Sequence, residues 1–167
     1  MEKKVLTEQA MYYGDVTMPK GFEINPLNLI NNFFNSLYQN KKFIYCKDFD
    51  KLNTYIKDFI LLKHDIRLVN KDSWTNAYTP NEQSEPLLHI DPVDLKNSAD
   101  FVLLYGINTV DCDITIFYDD NRRKGRSWNI KLTDNKFIMF PSTNLYCIKN
   151  NQKNSLNFVK TITYEFI

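Results

Sequence analysis

His89-Ile90-Asp91 is the tripeptide whose residue types and spacing bear most directly on chemistry. Side chains at i and i+2 of an extended strand share a face, so His89 and Asp91 would present an imidazole and a carboxylate side by side. Those are two of the three groups that hold a divalent transition metal in a facial arrangement. The plain alternative is a strand-end histidine bonded to a turn aspartate, and the doublet alone does not choose between them. His64 is the other histidine of the sequence. It falls in the last turn of an expected helix, where an imidazole suits the negative end of the helix dipole. Cys46, Cys112 and Cys147 are scattered and odd in number. They lack metal or redox spacing, which points to reduced thiols of a cytoplasmic protein (the host cytoplasm if the source is viral). Arg122-Arg123-Lys124-Gly125-Arg126 reads as a solvated hairpin tip balanced by Asp119 and Asp120, or as a contact for an acidic partner. Neither a dinucleotide fingerprint nor a phosphate loop nor a nucleophile motif is present.

The elements that would carry these residues divide the chain in two. Asn25-Pro26 is a cap and first-turn pair, followed by Leu27, Ile30, Phe33, Phe34, Leu37 and Tyr38 at helical spacing. A second helix is expected from Asp48, with Phe49, Leu52, Ile56, Phe59 and Ile60 on one face and Lys63 and His64 in its last turn. Beyond residue 66 the pattern becomes short strands at 66–69, 73–78, 86–91, 100–107, 113–119, 127–132, 136–140, 145–149 and 158–167, separated by Asn, Asp, Pro and Gly turns. The expectation is one α+β domain over 1–167: an irregular arm at 1–20, helical support at 25–64, and a β-sandwich or jelly-roll core at 66–167.

Composition bounds the partners. The 167 residues are 43% apolar and 25% charged, enough for a packed core, and the net charge of +1 argues against a strongly cationic nucleic-acid or membrane-surface binder. No apolar run approaches the ~18 residues of a membrane span, and the opening MEKKVLTEQAMYYGD lacks the apolar stretch of a signal peptide. Abundant asparagine and an excess of lysine over arginine suit an AT-rich source, such as a marine bacterium or its phage.

Taken in order, DSWTNAYTPNEQSEPLLHIDP, DITIFYDD, KFIMFPSTNLYCIKNN and NFVKTITYEF resemble the 2-oxoglutarate/Fe(II)-dependent oxygenases, particularly their small prolyl-hydroxylase-like bacterial and phage members. The resemblance covers about residues 72–166. It implies a double-stranded β-helix with two flanking N-terminal helices, Fe(II) as cofactor and 2-oxoglutarate as co-substrate. By this resemblance His89 and Asp91 match the first two iron ligands. Phe140-Pro141-Ser142 matches the segment a few residues before the distal histidine, whose place is taken by Tyr146. Lys160 stands where the family has an arginine for the far carboxylate of 2-oxoglutarate, with Thr161 or Thr163 beside it to add a hydroxyl. Its plain reading is a solvent-facing lysine. Asn76 and Tyr78 resemble the Asn-x-Tyr pair that contacts the co-substrate in the nucleic-acid demethylase branch.

Three functions follow. The first is a dioxygenase that hydroxylates a protein or small-molecule substrate, with His89, Asp91 and Tyr146 at the metal. The second is a non-catalytic relative used for binding or for assembly, for example in a phage particle, because Tyr146 replaces an imidazole. The third is a nucleic-acid demethylase, which the charge balance disfavours. The oligomeric state is left open.

Overall fold

The Asn25 side chain accepts the Leu27 N–H at 3.0 Å, and Pro26 occupies the first helical position, so helix α1 runs Pro26–Gln39. Helix α2, Lys47–His64, has Asp48 and Asp50 in its first turn and Lys63 and His64 in its last, matching the dipole at both ends. The computed structural model describes residues 3–4, 8–119 and 125–167. Arg122, Arg123 and Lys124 therefore lie outside the described residues.

The strands are β1 (Tyr12–Asp15), β2 (Leu68–Tyr78), β3 (Phe101–Ile107), β4 (Cys112–Asp119), β5 (Gly125–Leu132), β6 (Lys136–Pro141), β7 (Tyr146–Asn150) and β8 (Asn157–Phe166). They form a five-stranded sheet in the order β1-β6-β3-β8-β2 and a three-stranded sheet in the order β5-β4-β7, with antiparallel pairing throughout. From β2 onward the chain passes repeatedly from one sheet to the other, which is a jelly-roll-like winding.

Two apolar layers hold this together. Between the sheets lie Val102, Leu104, Ile138, Phe140 and Val159 from the larger sheet, against Ile114, Ile116, Leu132, Tyr146 and Ile148 from the smaller. On the outer face of the larger sheet, Phe49, Leu52, Ile56 and Ile60 of α2 pack on Leu103, Tyr105, Phe137, Met139, Ile162 and Tyr164. Full burial of each such side chain contributes about 1.5–3 kcal/mol before entropy is counted. The interior strand β8 is thus covered on both faces, and the parity of a residue on it decides which layer its side chain enters.

The structure departs from the sequence expectations in four places. Residues 12–15 of the expected arm form β1 on the free edge of β6. The expected strands 66–69 and 73–78 are one strand, β2, with a register irregularity between Asn70 and Asp72. The expected strand 86–91 is not a ladder strand. Its neighbourhood only bridges β7, through Gln83 to Lys149 and Leu87 to Tyr146, because Pro80, Pro86 and Pro92 interrupt the donors a ladder needs. In α1 only Leu29 is buried, while Leu27, Phe34, Leu37 and Tyr38 of its apolar stripe are exposed.

Candidate functional site

Leu87 and Tyr146 exchange backbone hydrogen bonds, Leu87 N–H to the Tyr146 carbonyl at 2.8 Å and Tyr146 N–H to the Leu87 carbonyl at 3.1 Å. This double bond pins the segment that carries His89 against the start of β7. As a result His89 Nε2 lies 2.7 Å from the phenol oxygen of Tyr146. The Trp74 ring of β2 packs on the imidazole with centroids 5.1 Å apart, and Phe140 of β6 meets the Tyr146 ring edge-on at 5.1 Å. Thr161 of β8, on the inter-sheet face, acts to lower the Tyr146 pKa, against the larger effect of burial.

The electrostatics favour neutral groups. Burial lowers the His89 pKa from its ordinary value, and burial, with Tyr78 adding to it, raises that of Tyr146 beyond any physiological range. Both groups are neutral and share one hydrogen bond, so the His89 nitrogen that faces Tyr146 is already engaged by the phenol. Asp91 is exposed. Its Oδ1 accepts the Val93 N–H at 2.9 Å, and its own N–H donates to the Ser98 hydroxyl at 2.8 Å. The carboxylate thus holds a turn and makes no hydrogen bond to His89 or Tyr146 among the described residues.

The other sequence-derived positions separate by parity. Asn76 and Tyr78 of β2 stand opposite Val159 and Asn157 of β8, facing the inter-sheet layer. Burial pushes the Tyr78 phenol up to about 12, with Asn76 acting in the opposite direction. Thr163 pairs with Val102, also on that face, but its hydroxyl is taken by the Asp72 backbone, whose N–H lies 3.1 Å away. Lys160 stands opposite Tyr105 and faces the helices. Its ammonium lies 4.7 Å from the ring centroid of Phe49. One sheet therefore separates Lys160 from the His89–Tyr146 pair. Phe140, marked in the sequence only as part of the Phe140-Pro141-Ser142 segment, joins this cluster because its parity on β6 turns it into the inter-sheet layer. His64 packs edge-on against Tyr12 at 4.6 Å, at the end of α2.

Ferrous iron, tested on this donor set, does not fit. The phenol stays protonated, the imidazole nitrogen is engaged by it, and the carboxylate holds a turn. No group of three or more His, Cys, Asp or Glu side chains able to hold a metal exists among the described residues.

No protein-family model matches the chain, and no curated protein sequence matches it. Solved structures do match. A prolyl-4-hydroxylase from Pseudomonas putida superimposes with a TM-score of 0.65 at 10% identity, over 94% of this chain and 88% of that one. A prolyl hydroxylase from Trichoplax adhaerens, in complex with a hypoxia inducible factor oxygen degradation domain fragment, gives 0.62 at 11% identity over 93% and 83%. AviO1 from Streptomyces viridochromogenes gives 0.63 at 9% over 94% and 90%. At such identities the likeness establishes the fold: this chain has the jelly-roll-like fold of prolyl hydroxylases. No helix among the described residues is long and apolar enough to cross a membrane.

Proposed function

We propose that this protein is a prolyl-hydroxylase-like member of the 2-oxoglutarate/Fe(II) oxygenase superfamily, built on a double-stranded β-helix, whose iron site is replaced by a Tyr146–His89 pair. In this reading it binds a protein segment or a small molecule and does not oxidise it. The 2.7 Å hydrogen bond between Tyr146 and His89 carries the reading. A phenol held neutral is a poor ligand for Fe(II), and removing the histidine of a facial triad removes the donor that ferrous chemistry normally uses. The Trichoplax neighbour's peptide complex supports a protein segment as the kind of partner this fold accepts.

The test is metal and co-substrate turnover. Purified protein, loaded anaerobically with Fe(II) and given 2-oxoglutarate and oxygen, is expected to release no succinate above the metal-free control. Tyr146→His, which puts an imidazole in the phenol's place, is expected to gain metal affinity by direct metal analysis. A second reading, a working dioxygenase with His89, Asp91 and Tyr146 at the metal and a protein or small-molecule substrate, is favoured by the convergence of positions 89 and 146 on a hydroxylase fold. Iron-dependent succinate release by the unaltered protein would establish it and overturn the first.

A further inference from the structure

On the outer face of β2, α1 and the turn after it enclose a cleft of about 350 Å³ floored by Lys160 and Phe49. This is within the size range of small-molecule sites. Its polar charge is one-sided: Lys160 lies at the base and Lys41 and Lys42 also line it, and no aspartate or glutamate does. Lys160 is only 7% exposed, and among the described residues its ammonium has no ion pair or hydrogen bond, only the Phe49 ring. Burying an ammonium without an anion is costly, and a cation–π contact recovers only part of that cost. Asp72, on the neighbouring strand, is exposed, and its carboxylate accepts the Ser73 N–H at 2.8 Å.

The walls are tied by hydrogen bonds. Asn32 Nδ2 donates to the Ile44 carbonyl at 2.9 Å and clips the 40–44 turn onto α1. The last carbonyls of α1 are capped, with Asn40 N–H on Leu37 and Lys41 N–H on Ser36, so the helix end presents few open acceptors to a visiting anion. Phe33, Leu37 and Phe43 supply apolar surface beside the lysines. Burial holds the Lys160 pKa down to about 8, so the side chain still carries its proton at neutral pH.

We propose that this cleft binds a small organic anion, a carboxylate or phosphate head on an apolar or aromatic body, with Lys160 as its buried counter-ion and Lys41 and Lys42 guiding its entry. The proposal does not depend on what occurs at His89, although Trp74, whose ring packs on that imidazole, also lines the cleft.

The experiment uses the full chain, with benzoate and phenyl phosphate as probes and benzyl alcohol as the neutral control, read by calorimetric titration and by melting temperature with metal absent. One or both anions are expected to bind at millimolar concentration and to raise the melting temperature by mass action, and benzyl alcohol is not. Which anion binds more tightly names the head group. Lys160→Met is expected to weaken binding at least tenfold, and Lys41→Gln with Lys42→Gln severalfold. Should Lys160→Met fail to fold, the surface double variant and Lys160→Arg, which keeps the charge and should keep binding, carry the test. No binding of either anion, undiminished binding in folded Lys160→Met or in the surface double variant, or binding that appears only with Fe(II), would overturn the proposal. The last outcome would put the anion at His89 and leave the function reading to be judged separately.

Discussion

A phenol at position 146 fixes what the imidazole at 89 can do. Tyr146→Phe removes the phenol oxygen that shares a hydrogen bond with Nε2 of the half-buried His89. The expected loss of stability is about 1–2 kcal/mol in urea unfolding, the usual cost of leaving buried polar groups unpaired, and an unchanged midpoint would deny the pair a structural role. Lys160 makes a prediction of opposite character. Its folded pKa, held to about 8 by burial, lies below the ordinary 10.5. Between those values the unfolded chain binds more protons than the folded one, so the stability of the unaltered protein should rise with pH from about 8 upward, by up to roughly 3 kcal/mol. Taken as the difference from Lys160→Met, this rise isolates the one group. A flat difference would mean that the ammonium is solvated. The His89-x-Asp91 spacing was readable in the sequence, and the resemblance brought position 146 to the same place as position 89, where the structure has them in contact. The face taken by Lys160 was not. Phe158, Ile162 and Tyr164 flank it on one side of β8, and Val159, Thr161 and Thr163 lie on the other, all six buried. A strand covered on both faces shows no alternation to set its parity.

Elements meet most tightly where β3 passes the turn between β5 and β6. The Gly106 carbonyl accepts the Asn135 N–H at 3.0 Å, and the Thr109 carbonyl accepts that of Asp134 at 2.6 Å. A Cβ on Gly106 would run into the Thr133 carbonyl oxygen, a backbone atom that cannot rotate away. Gly106→Ala should therefore cost roughly 1–3 kcal/mol, the range of an overpacked core site, seen as a lower denaturant midpoint. Wild-type stability in that variant would show that the turn can yield. The two helices and the strands from β3 onward were readable because caps, apolar spacing and turn residues agree there. The 82–87 segment was not, since its pairing to β7 depends on single bridges and on the Ser84 hydroxyl, which accepts the Ile148 N–H at 2.9 Å. Such bonds have no periodic signature.

For the whole molecule, the question is how a two-sheet sandwich protects its open edges. β6 would be such an edge, and β1 covers it: Tyr12 to Asp15 pair with Met139 to Lys136, the Val16 N–H reaches the Asn135 carbonyl at 2.9 Å, and Asn135 Nδ2 returns a bond to the Val16 carbonyl at 2.7 Å. Side chains reinforce this cover. Val16 is buried, Tyr12 packs on Phe101 and His64, and Tyr13 meets the Trp128 ring of β5 edge-on. The first strand therefore ties the larger sheet to α2 on one face and to the smaller sheet on the other. Removing residues 1–16 should uncover the backbone donors and acceptors of β6 next to Phe137 and Met139, a short apolar strand well suited to pairing with another copy. The expected outcome is a lower melting temperature together with a concentration-dependent dimer or larger species in light scattering. If the shortened chain stays monomeric and melts where the full chain does, β1 is an ornament on the sheet and β6 is protected by its neighbours alone.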